Sequence, residues 1–253
     1  MKKQFFIALA LGTGISLAAV TAQATTINLT GTVRDFSASH PHMEAAIDGL
    51  VPGLVETTLG ADKDPVRTSK TTASMPGVLS IFDQWYDDVA GVNVAQSLML
   101  TLDNTITEDP DVYTYVNNSF FPIDGQLLGN EGNGHNYHFT FELHSDFTYK
   151  GGETFSFTGD DDLWVFINDK LAVDLGGVHG AVTGYVELDT LGLTLGEIYD
   201  FDLFFAERHT TESKFRIDTS IALNPVPEPA TMLLFGTGLA GLGLLKRRKK
   251  LSI

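Results

Sequence analysis

The chain has 253 residues and no cysteine, which excludes disulfides and thiolate metal sites and leaves burial of apolar surface, with or without a bound metal, to stabilise it. Its 32 acidic and 16 basic residues give a net charge of −16, a balance that disfavours nucleic acid as a partner.

Residues 1–24 open with Lys2 and Lys3, continue through an apolar run from Phe5 to Val20, and close on Ala22-Gln23-Ala24. This order predicts a secretory signal peptide, with Ala22 and Ala24 forming an A-x-A cleavage site before Thr25. At the other end, residues 225–253 hold Pro227-Glu228-Pro229, an apolar run of 14 residues from Met232 to Leu245, and a basic cluster from Lys246 to Lys250. The apolar run is shorter than the ~20 residues that span a bilayer comfortably. The basic cluster places the tail on the cytoplasmic side and everything before it outside. This end resembles the PEP-CTERM sorting signal of Gram-negative bacteria, a Pro-Glu-Pro triplet followed by a short membrane helix and a basic tail. The resemblance implies processing by an exosortase-type protease, and a place at the cell surface, at the outer membrane or in a biofilm matrix. The two ends hold seven of the 16 basic residues and one of the 32 acidic ones, so residues 25–224 carry −22. Such a body is soluble, self-repelling and suited to divalent cations.

Within the body, Ile27, Leu29 and Val33 predict a first strand over Thr25 to Val33. Arg34 to Leu59 is mixed, with a short helix expected near Met43 to Ile47, and Gly60 to Gly77 reads as a polar surface excursion. Phe82, Trp85 and Tyr86 fall at i, i+3 and i+4, which predicts a short amphipathic helix plugging the core. Ser97 to Leu102 is a strand, Thr105 to Phe121 another strand or hairpin arm, and Asp124 to Asn136 a Gly/Asn loop. From Tyr137 to Ile221 apolar and polar residues alternate, broken by turn signals about every 8–12 residues, which predicts an antiparallel sandwich with one wet face per sheet. The expected fold is therefore all-β, a jelly-roll-like antiparallel β-sandwich with short helical insertions.

The stretch with most chemistry is Gly159 to Gly180. Asp160, Asp161 and Asp162 run into the strand-forming Leu163 to Ile167, Asn168-Asp169 offers a two-residue turn, and Lys170 to Leu175 returns. Adjacent carboxylates raise one another's pKa unless a cation compensates. Calcium, which takes roughly six to eight oxygen ligands, suits such a cluster. A solvated acidic turn is the alternative. His179 and His209 are either zinc ligands with nearby carboxylates or structural histidines that tie down loops. Asp174 is a candidate ligand or hairpin partner, and His40, His42 and Glu44 form a second polar group read as loop chemistry. No G-x-S-x-G or H-E-x-x-H occurs, and carboxylate pairs such as Asp83 with Asp87 or Asp88, which could serve a glycosidase, arise by chance in so acidic a chain, so no enzyme is expected.

GDDDLWVFINDKLAVDLGGVHG (159–180) and FFAERHTTESKFRIDTSI (204–221), together with GTVRDF (31–36) and FDQWYDD (82–88), resemble the fibro-slime domain. That family is similar to the β-sandwich of anthrax protective antigen and of flocculin-type adhesins. The resemblance implies that two consecutive aspartates hold calcium, often through a cis peptide, that the ion binds sugar hydroxyls, and that a later loop completes the site. Carried across, the pair is Asp160-Asp161 or, one register on, Asp161-Asp162. The later loop is Glu207 to Ser213, with Glu207, His209 and Glu212 as candidate ligand-contacting residues, and it lacks the Asn that sugar-binding relatives tend to use. The expected function is calcium-dependent carbohydrate binding or adhesion in exopolysaccharide. The alternatives are a structural matrix protein rigidified by calcium and a glycan-processing hydrolase.

Overall fold

A computed structural model describes residues 25–225, so the expected signal peptide, the Pro227-Glu228-Pro229 triplet and the C-terminal apolar run lie outside the described residues. Eleven strands form: β1 (Thr26–Phe36), β2 (Asn93–Asp103), β3 (Tyr113–Asn117), β4 (Phe139–Thr148), β5 (Thr154–Asp160), β6 (Asp162–Ile167), β7 (Lys170–Leu175), β8 (Val182–Glu187), β9 (Ile198–Glu207), β10 (Lys214–Thr219) and the two-residue β11 (Asn224–Pro225). All pair antiparallel along one path, β7-β6-β9-β4-β1-β2-β3-β10-β5-β8, with β11 beside β4. The path curls until its ends meet, since a Cβ on Gly184 of β8 would overlap the Val173 side chain of β7. The all-β antiparallel architecture expected from the alternation is the one observed. Among the described residues no helix is long and apolar enough to cross a membrane.

Alternation sets the main core. Leu163, Val165 and Ile167 of β6 point the same way as Phe201, Leu203 and Phe205 of β9 and join Phe139, Phe141, Phe157 and Phe215 inside the curl. The opposite faces of β6 and β9 are also dry at Trp164, Phe166, Phe204 and Ala206, which departs from the expected wet face. Trp164, Phe166, Phe204 and Ala206 are covered by Phe36, Met43, Leu54, Phe82, Trp85 and Tyr86. Phe82 and Trp85 meet Trp164 at ring-centroid distances of 5.7 and 6.3 Å, and Tyr86 meets Phe204 at 4.9 Å. Phe82–Tyr86 therefore plugs the core as expected, but through two short 3-10 turns, Leu79–Ile81 and Asp83–Trp85, rather than an α-helix.

The segment 37–77 is not a loose excursion. Its Thr58 bridges Lys170 of β7, Leu59 N–H donates to Asp169 O (3.1 Å), and Lys63 Nζ pairs with Asp169 (2.5 Å) and Asp200 (3.1 Å). The helix expected near Met43 to Ile47 is absent. The chain there runs as turns and extended backbone, fixed by tertiary contacts that outweigh its weak helical preference. Of the strand or hairpin arm expected over Thr105 to Phe121, only Tyr113–Asn117 pairs, and turns occupy the residues before it.

Candidate functional site

Two crossovers build the site. β5 and β6 lie near opposite ends of the sheet path, yet only Asp161 separates them in sequence. β9 and β10 make the same crossing through residues 208–213. Registers bring the crossings together, because Asp160 pairs with Lys214 and Asp162 with Ala206. Glycine at 159 is required by close approach, since a Cβ there would overlap the Lys214 carbonyl oxygen. The hairpin behind the site turns on Asn168 and Asp169 at φ 53° and 60°, the left-handed pair that a two-residue turn demands.

The three aspartates have different surroundings. Asp162 is fully buried, and its carboxylate accepts Gly177 N–H (2.5 Å) and Arg208 Nε–H (2.8 Å), with Arg208 Nη2 at 2.6 Å. Asp161 accepts backbone N–H groups from His179, in the loop between β7 and β8, at 3.0 Å and from Arg208, in the β9–β10 crossing, at 3.2 Å. Asp160 accepts Lys214 N–H at 2.6 Å. Asp160 and Asp161 line an open cleft of about 280 Å³ with Ile47, Val178, His179, Gly180, His209, Thr211 and Glu212, whereas Asp162 does not. The peptide bond between Asp160 and Asp161 is cis.

Burial works against the ionised form of the carboxyls at the cleft. Burial, then the charge of Asp162, pushes the Asp161 carboxyl up to about 8. Burial also raises Asp160. Glu207, at the end of β9, is wholly buried beside Ser213, and burial followed by the Asp161 charge holds its carboxyl well above the usual range. The arginine alongside is committed elsewhere. Arg208 is buried, bonds Asp162, donates to His42 O (3.3 Å) and Ser74 O (2.8 Å), and stands 5.2 Å over the Trp85 ring.

The other candidate residues separate into those at the cleft and those away from it. His179 lines the cleft, with its ring nitrogens directed at backbone carbonyl oxygens, Nδ1 2.9 Å from Gly180 O and Nε2 3.1 Å from Leu175 O. His209 lines it from a left-handed turn at φ 64°, with Nδ1 3.2 Å from Glu44, which also meets His138 Nε2 at 2.7 Å. Glu212 is exposed at the rim and pairs with Lys214. Asp174 lies outside the cleft and fastens the hairpin to the 37–77 segment, accepting Trp164 Nε1–H (3.1 Å) and Gly53 N–H (2.6 Å). Glu207 lies behind the cleft rather than in its lining. Asp83 and Asp87 line a separate small cleft with Asp62 and Asp64, and Asp88 is taken by Arg34 at 2.9 Å. Among the described residues no three His, Asp or Glu side chains converge as a ready metal cluster.

Sequence reasoning missed Ile47 and Arg208 as parts of this site. Arg208 carried a signal, a lone cation in an acidic loop, but its partner Asp162 is one of three adjacent carboxylates that the sequence does not tell apart. Ile47 carried none, because its placement depends on how the 37–77 segment docks.

Residues 121–229 match the PA14 domain model, and residues 225–249 match the PEP-CTERM protein-sorting motif. Protein psiQ of Dictyostelium discoideum is 45% identical over 69% of this chain and 19% of its own length. Protein psiC of the same organism is 39% identical over 83% of this chain and 44% of its own length. The chain thus spans less than half the length of these relatives. Among solved structures, the PA14 sugar-binding domain from an RTX adhesin aligns with 13% identity and a TM-score of 0.28, over 46% of this chain and 73% of that one, too slight a superposition to carry an argument.

Proposed function

We propose that residues 25–224 form a calcium-dependent carbohydrate-binding module of an exported surface or matrix protein. The observation that carries the reading is the open cleft at the paired crossovers, where Asp160 and Asp161 sit side by side, each fixed by backbone N–H donors. A buried, acid-rich cleft with raised carboxyl pKa values fits a hard cation. Calcium there would draw on the Asp160 and Asp161 carboxylates, together with carbonyl oxygens and water at the cleft. When bound, calcium supplies a Lewis-acidic centre for vicinal sugar hydroxyls. This chain's own residues do the rest: Arg208 neutralises Asp162 and anchors the loop, His179 and Arg208 N–H groups fix Asp161, and Thr211 and Glu212 offer hydroxyl partners at the rim.

The PA14 match over residues 121–229 supports the carbohydrate reading, and the PEP-CTERM motif supports export, exosortase processing and release into, or retention on, an exopolysaccharide-rich surface. The test is a glycan array probed with the purified full chain in calcium and in chelator. Calcium-dependent binding is expected. Binding indifferent to calcium would contradict the metal's role, absence of all binding would favour a structural matrix protein, and turnover of any glycan would point to a hydrolase.

A further inference from the structure

The cleft's lining is mixed in character. Asp160, Asp161, Thr211 and Glu212 are polar, Val178 is apolar and buried, and Ile47 is apolar and exposed. Ile47 is 64% exposed, although it belongs to a segment held on both sides. Met43 O accepts His209 N–H (3.1 Å), Val51 N–H donates to Gly176 O (2.6 Å), and Arg208 grips His42 O and Ser74 O. A lone exposed apolar side chain is ordinary on a protein surface. This one lines the acidic cleft from a segment tied down on both sides, where a molecule bound in the cleft would take its surface out of water.

We infer that Ile47 is a specificity-determining contact, selecting sugars that carry a methyl group within reach of the hydroxyls bound at Asp160 and Asp161. The inference rests on the carbohydrate reading and extends it to a ligand class. The shared chemistry is the methyl, whether of a 6-deoxyhexose or of an N-acetylhexosamine. Covering one methyl is worth about fourfold in affinity, and a partly open wall keeps the effect below about tenfold. Members of a series also differ from their parent in a hydroxyl or an amide, so it is the loss of the preference in an Ile47 variant that isolates Ile47.

The experiment measures affinities of the full chain, in calcium, for glucose, 6-deoxyglucose and N-acetylglucosamine and for galactose, 6-deoxygalactose and N-acetylgalactosamine. One methyl-bearing member is expected to bind about three- to tenfold tighter than its parent, and the member that does so identifies the methyl's source. Ile47→Ser should abolish that preference while leaving the parent hexose within about twofold, and Ile47→Leu should retain it. Because Ile47 is exposed, neither change should lower the melting temperature appreciably. Equal affinity across each series, or an equal loss for every sugar in Ile47→Ser, would overturn the inference and leave the carbohydrate reading standing. No binding to any sugar would instead contradict the carbohydrate reading, and this inference with it.

Discussion

Arg208 and Asp162 form an ion pair in which neither side chain reaches solvent, with Arg208 Nη2 2.6 Å from the Asp162 carboxylate. The pair joins the two crossovers and, through His42 O and Ser74 O, the segment that covers the second core. Removing one partner of such a pair leaves a buried charge alone, so Arg208→Met should cost about 3–5 kcal/mol, read by urea denaturation. Arg208→Met combined with Asp162→Leu should recover much of that loss, because an apolar pair leaves no orphan charge. Additive losses in the double variant would argue that the carbonyl contacts, not the ion pair, carry the stability.

Asp160 and Asp161 should behave differently from Asp162 on neutralisation. Asp161→Asn relieves a carboxylate that burial and Asp162 destabilise, so in chelator the variant should melt no lower than the parent. In calcium it should lose the stabilisation the parent gains. Asp160→Asn should show the same pattern. Melting curves of both variants, with calcium and with chelator, check this; a variant still stabilised by calcium as the parent is would remove its aspartate from the proposed ligand set.

Gly159 sets the spacing at the crossing. A methyl there meets the Lys214 carbonyl oxygen, a backbone atom that cannot swing aside, so Gly159→Ala should destabilise by about 1–3 kcal/mol. Weaker calcium response should accompany the loss, since Lys214 N–H also holds Asp160. Denaturation midpoints and calcium-induced melting shifts measured on one preparation test both effects.

His144 on β4 supplies a pH dependence away from the cleft. Burial alone would lower its pKa, but a hydrogen bond to Asp202 (2.8 Å) and the Glu142 carboxylate 3.8 Å away raise it to about 10. A group raised on folding contributes stability that is complete below its unfolded value near 6.5 and lost as pH climbs toward 10. The parent's melting temperature should therefore fall between about pH 6.5 and 10 more steeply than that of His144→Gln. Equal slopes would show that the imidazole carries no net stabilising charge.

Period-two alternation from Tyr137 to Ile221 made β4, β5, β6, β9 and β10 legible, because each has one face on the main core. Asn168-Asp169 marked the hairpin turn for a local reason, the tolerance of both residues for positive φ. What the sequence could not show was long-range. The dryness of Trp164, Phe204 and Ala206 depends on where Phe82 and Trp85 dock. Three adjacent aspartates look alike until one meets Arg208, which lies 46 residues away. Likewise Asp174 resembled a ligand until Gly53 and Trp164 were seen to occupy it.

The most direct test of the account is a calorimetric titration of calcium into the full chain, repeated with Asp161→Asn. The account predicts one site of roughly 10⁻⁴–10⁻³ M, the range of extracellular calcium modules, in the parent and none in the variant. Absence of binding heat in the parent at millimolar calcium, or an unchanged site in Asp161→Asn, would contradict it.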